Sequence, residues 1–161
     1  MCDFISIAVP KKMADVMSRW RRRHYALTPH DNSTLKAQLP ADHSVWILTK
    51  GGCSCGLCFS IGSLSQDARG ICDVALRDDA REIIRELAVG PERTFVFVHY
   101  YRGDISSECL PPAPKEQRPH AFLNAEEPFR RDALIELVAG RRGCQTSDLN
   151  RTPKARSAAT E

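Results

Sequence analysis

The chain has 161 residues, a hydrophobic share of 42% before glycine is counted, and a formal charge of +3. This is the size of one compact domain and too apolar for a disordered chain, which excludes tandem architectures and intrinsic disorder. Five basic residues from Arg141 onward, against Asp148 and Glu161, carry the whole excess; the neutral body disfavours a dedicated nucleic-acid surface.

Seven cysteines are an odd number and too few for a disulfide scaffold. The apolar run Phe4 to Val9 has Asp3 before it and Pro10, Lys11 and Lys12 after it, the reverse of a signal peptide's charge order. Nowhere do the roughly 18 apolar residues needed for a membrane-spanning helix run together. The expectation is a cytoplasmic protein with reduced thiols and no membrane association.

In chain order, Phe4 to Val9 is β-rich and stops at Pro10, which reads as a first strand. Met13, Val16, Met17, Trp20 and His24 then fall on one stripe, predicting a helix from Lys11 to about His24 with Arg19, Arg21, Arg22 and Arg23 pointing outward. Such an arginine cluster could contact phosphate, but the favoured reading is a solvated helix end whose positive charge suits the negative pole of the dipole. Residues 27 to 43, with Pro29, Asp31, Asn32 and Pro40, read as a loop. Val45 to Thr49 reads as a strand buried on both faces. Gly51 and Gly52 break it, and the alternation of Leu57, Phe59 and Ile61 predicts a strand pairing back on it, with Cys53 and Cys55 in or beside the hairpin loop.

Ser65 is a candidate N-cap for a long helix, or two shorter ones, whose apolar stripe runs from Ala68 to Leu87 and stops at Gly90 and Pro91. Phe95 to Tyr101 is the strongest strand and should be central. Residues 102 to 123 hold four prolines and no period, predicting a long connection. A last helix is expected from about Pro128 to Ala139, with Phe129, Ala133, Leu134, Leu137 and Val138 inward and Gly140 as its stop. The fold class is therefore α+β, a single domain over residues 1–140 with a mixed sheet of about four strands and about three helices. Residues 141–161 form a basic tail expected to be disordered.

The dense chemical constellation is Gly51-Gly52-Cys53-Ser54-Cys55-Gly56-Leu57-Cys58, three thiols within six positions. Thiolates are soft donors, so Cys53, Cys55 and Cys58 point to Zn(II), Cu(I) or trivalent arsenic rather than Mg(II) or Ca(II). A structural zinc site is disfavoured, since such sites pair cysteines two to four residues apart and add a second pair elsewhere. Cys55 and Cys58 also form a C-x-x-C pair that could exchange with disulfides, although the strand pattern after it does not open a helix. Small loop cysteines that pack and bind nothing are the bland reading.

The C-x-C-x-x-C spacing of Cys53, Cys55 and Cys58 resembles the trivalent-arsenic site of the winged-helix arsenical repressors, whose triplet lies on a helix. The start Met1-Cys2 followed by a strand resembles the opening of the N-terminal nucleophile hydrolases, which are larger four-layer sandwiches. With the Gly-flanked Cys53-Ser54-Cys55-Gly56, the same start resembles a loose set of uncharacterised bacterial proteins of similar size, and that resemblance implies no activity. His99, at the end of the strongest strand, is a candidate fourth ligand or a hydrogen-bonded structural histidine. Cys72, Cys109 and Cys144 have no local partner. No phosphate loop, dinucleotide fingerprint, Gly-x-Ser-x-Gly elbow or His-Glu-x-x-His helix occurs. The leading reading is a small protein binding a thiophilic metal through Cys53, Cys55 and Cys58. The alternatives are a non-catalytic protein-interaction module with incidental cysteines, its partner open, and a thiol-redox protein.

Overall fold

A computed structural model describes residues 2–22, 24–54, 56–60, 73–88, 92–101, 104–124 and 127–138. Among these residues three α-helices pack with two sheets. In chain order the strands are β1 (Cys2–Pro10), β2 (Arg21–Arg22), β3 (Tyr25–Pro29), β4 (His43–Lys50), β5 (Cys58–Ser60), β6 (Asp73–Leu76), β7 (Thr94–Tyr101), β8 (Lys115–Pro119), β9 (Phe129–Arg130) and β10 (Leu134–Val138). The helices are α1 (Ala14–Arg19), α2 (Ser33–Lys36) and α3 (Asp78–Leu87). The large sheet has seven strands in the order β2-β3-β4-β1-β7-β10-β8, and a second sheet runs β5-β6-β9. The α+β class holds; the expected four strands were too few.

The centre is where the sequence is most apolar. β1 lies antiparallel between β4 and β7, with Ile5 opposite Leu48 on one side and Val98 on the other. Alternate side chains feed two cores. Ile5, Ile7, Val9, Leu48, Val96 and Val98 join α3 and the small sheet on one face, while Ala8, Val45, Phe95 and Phe97 pack with Leu35 of α2 and Leu110 on the other. Burial of β4 on both faces, expected from its unbroken apolar run, is observed, and β7, expected to be central, is buried on both faces over Thr94 to Val98. From α3, Ile83, Ile84 and Leu87 enter the first core, each contributing roughly 1.5–3 kcal/mol of burial.

Five expectations differ, and where a helix was expected a sheet offered backbone partners that a short helix could not match. The helix after Pro10 begins as a 3-10 turn over Lys11–Met13 and ends at Arg19, where Trp20 turns extended at φ −64°, ψ 128°. Only Met17 of α1 is buried, and Val16 is 60% exposed. The following residues form the β2–β3 edge hairpin on β4, so residues 27 to 43 hold a strand end and a short helix rather than a loop. Arg22 pairs there with Glu82 at 3.0 Å and Glu86 at 3.7 Å on α3, an exposed contact that solvent screens.

The helix expected from Ser65 gives way, within the described residues, to β6 and to α3 starting at Asp78; residues 61–72 lie outside them. The connection after Tyr101 contains β8 and a 3-10 turn over His120–Asn124. The expected last helix is β9 and β10 instead. β10 runs antiparallel to β7 and parallel to β8, with Ile135 and Leu137 in the first core and Leu134 in the second. On the second face Glu136 accepts from Arg93 Nε at 2.5 Å and from Gln117 Nε2 at 3.0 Å. The 141–161 tail lies outside the described residues.

Phe97 is 3% exposed in the middle of β7. Phe97→Ala should cost about 3–5 kcal/mol through lost transfer energy and a residual cavity. Urea denaturation measures it; a loss below about 1 kcal/mol would contradict a central position for this strand.

Candidate functional site

The thiol loop begins where β4 ends. Gly51 and Gly52 have φ values of 64° and 97°, left-handed backbone that glycine adopts at little cost. The chain turns back there, and the Lys50 amide donates to the Cys53 carbonyl at 2.7 Å. Fully buried Ser54 pins the turn: its Oγ accepts from the Ile5 amide at 3.3 Å and donates to the Leu48 carbonyl. The Leu57 amide donates to the Ser54 carbonyl at 2.9 Å, and the Arg77 amide donates to the Leu57 carbonyl at 2.9 Å. The loop is thus tied to β1, to β4 and to the residue that opens α3.

After the loop, β5 does not pair back on β4 as expected. It pairs with β6 in the second sheet, with Cys58 opposite Leu76, so the loop is a crossing between sheets rather than a hairpin. That crossing buries Cys58 in the first core and leaves Cys53 half-buried, both as free thiols. The Cys58 thiol lies 3.9 Å from the Ser54 carbonyl. Burial pushes it up to about 12, helped by the nearby Asp3 and Cys53 and opposed by Arg131.

Asp3 and Arg131 form a pair spanning nearly the whole chain: Arg131 Nη2 lies 2.9 Å from one Asp3 carboxylate oxygen and 3.0 Å from the other. The guanidinium also sits 5.7 Å from the centre of the Tyr100 ring. The pair holds a positive and a negative charge beside a neutral thiol, and because the charges offset each other the thiol gains little help in ionising. No local signal in the sequence joins residues 3 and 131.

Of the predicted ligands, the structure brings Cys53 and Cys58 into one loop; Cys55 lies outside the described residues. Among the described residues no group of three His, Cys, Asp and Glu side chains is arranged to hold a metal ion. His99 is not part of the thiol site. It stacks on Phe97 and meets Tyr101 edge-on at 4.5 Å, on the face of the second core. Its Nδ1 is hydrogen-bonded to Asp132 and its Nε2 lies 3.3 Å from Glu108. Cys109 is exposed and free; Cys2 contributes the first residue of β1, opposite Tyr101. The arginine run divides, with Arg21 exposed and Arg22 paired to α3.

The same second face carries a cleft of about 710 Å³ lined by Lys11, His30, Lys36, His43, Val45 and Trp46, among others. Its ring nitrogens already have partners. His30 uses Ser6 Oγ at 3.3 Å and the Ile105 carbonyl at 3.0 Å. His43 uses Asp42 at 2.8 Å and the Arg93 carbonyl at 3.1 Å, and Trp46 Nε1 donates to Ser44 at 3.1 Å. Among the described residues no helix is long and apolar enough to cross a membrane. No family model, no curated protein and no solved structure matches the chain.

Two outcomes follow from the loop's anchoring. Ser54→Ala removes the partner of a buried amide and a buried carbonyl and should cost about 1–3 kcal/mol in urea unfolding; an unchanged midpoint would mean the loop is not held there. In the folded protein an alkylating reagent should reach Cys53 well before Cys58, whose labelling should remain slow until strongly alkaline pH. Mass spectrometry of the labelled peptides reads the order, and equal rates at neutral pH would refute it.

Proposed function

We propose that the Cys53–Cys58 loop binds a thiophilic metal ion, with Cys53, Cys55 and Cys58 as thiolate donors and Zn(II) or Cu(I) as the ions that suit them best. The observation that carries this reading is the anchoring of the loop. Ser54 fixes the backbone between two of the three thiols to β1 and β4, so the site would be held by the sheet instead of being assembled by the ion. Free thiols in this number fit a reducing compartment, and the reading places the protein in the cytoplasm.

The burial of Cys58 favours metal binding over attack by this thiol on a disulfide. Cys58, its thiol pushed up to about 12, supplies almost no thiolate at neutral pH and is a poor attacking sulfur for exchange. A metal ion instead displaces the proton as it binds. Uptake should therefore release protons and weaken steeply as pH falls.

Protein purified without chelator, then titrated with Zn(II) or with Co(II) as a spectroscopic probe, tests this. One equivalent should bind, with thiolate-to-cobalt absorption, and Cys58→Ser should abolish stoichiometric uptake while the far-ultraviolet circular dichroism stays intact. Protein that takes up no ion, with thiols equally reactive before and after chelation, would overturn the reading. A mixed disulfide trapped at Cys58 in Cys55→Ser would favour the redox alternative.

A further inference from the structure

Residues 104–114 cross the second face of the large sheet without joining any strand; apart from the Leu134 amide, which donates to the Pro114 carbonyl at 2.9 Å, the bonds that tie them to the sheet and to α2 come from side chains. Asn32 Nδ2 donates to the Ile105 carbonyl at 2.9 Å and to the Glu108 carbonyl at 2.8 Å. The Leu110 amide donates to Thr34 Oγ1 at 3.0 Å, and the Ala113 amide to Gln38 Oε1 at 2.6 Å. These partners keep one charge state at every ordinary pH. Two histidines complete the set: His30 Nε2 on the Ile105 carbonyl, and His99 between Glu108 of this segment and Asp132 of the β9–β10 turn.

An imidazole can donate from both nitrogens only when it is protonated. We propose that residues 104–114 are a pH-released strap, locked while a protonated His99 bridges Glu108 to Asp132 and loosened in alkali when Nε2 gives up its proton. The closer contact, to Asp132, keeps the remaining proton on Nδ1. Nε2 then turns a lone pair toward the Glu108 carboxylate, and attraction becomes repulsion.

The groups facing His99 are consistent with this. Phe97 and Tyr101 flank it on β7 and Phe4 lies opposite on β1; the charges that reach it are Glu108 and Asp132, while Asp3 and Arg131 neutralise each other next door. Burial opposes the charge on His99, but the two carboxylates outweigh it and the ring stays protonated above its ordinary range. Its contribution is therefore fully present below about pH 6.5 and is lost as pH rises through that raised value. Tyr101, pushed upward by burial, does not ionise in this window. Burial holds His30 neutral and lowers its value, so its contribution is lost instead as pH falls.

Amide hydrogen exchange on the full chain, read by mass spectrometry and corrected for the intrinsic pH dependence, tests the strap against β1 as an internal control. From about pH 6 to about pH 9 the opening equilibrium of the 104–114 peptides should rise about tenfold, the low end for a hydrogen bond to a charged group, with β1 unchanged. Glu108→Gln and His99→Gln should each lose the alkaline rise, and His30→Gln should keep it. Glu108 is partly exposed, so its variant should fold even where His99→Gln does not. An alkaline rise that persists in Glu108→Gln, or a strap and β1 that open together, would overturn the proposal.

Discussion

Everything in this fold depends on the pairing of β1 with β7, two strands that are apolar on both faces. A sheet with one wet face could leave half of those side chains to solvent; this one must be covered twice. The first face is closed by α3 and the small sheet, with Met17 of α1 contributing its one buried side chain. The second is closed by α2 and by the segment carrying Leu110. The two covers differ in kind: the first is regular structure with its own backbone hydrogen bonds, whereas the second is a short helix and a chain segment tied down by polar side chains.

The turn between β9 and β10 links the two faces. Asp132 has φ 61°, a left-handed conformation that aspartate tolerates better than most residues. Its amide donates to the Val98 carbonyl at 2.9 Å, which seats the turn on the middle of β7, beside Phe97 where the β7–β10 pairing begins. With the backbone held, consecutive side chains go to opposite faces. Arg131 meets Asp3 and the Tyr100 ring beside the thiol loop, and Asp132 meets His99 on the other face. One turn thus balances charge in both cores, and neither pair could form without it.

Burial decides the chemistry open to the thiol loop. Placing a thiol in the apolar first core makes its ionised form costly, and the adjacent carboxylate and guanidinium nearly offset each other. A thiol in such surroundings is a poor nucleophile toward disulfides at neutral pH, and a metal ion would have to displace its proton on binding.

The amino-acid sequence by itself determined the class, the two central strands and the position of the thiol loop. Continuous β-branched and aromatic runs at Phe4 to Val9 and Phe95 to Tyr101 leave a chain of this length few ways to bury them, and Gly51 and Gly52 mark the turn through their backbone freedom. Periodicity misled where short segments carried both patterns. Leu134 to Val138 fits a helical stripe, yet it forms a strand because β7 and β8 offered two rows of backbone partners. The stripe from Met13 to His24 likewise yields to an edge hairpin after Arg19. Only the tertiary structure decided which distant groups meet: Asp3 with Arg131, and His99 with Glu108 and Asp132. Local sequence records a residue's own preference for helix, strand or turn, whereas these pairs depend on strand order and register, which emerge when both faces of the sheet compete for cover.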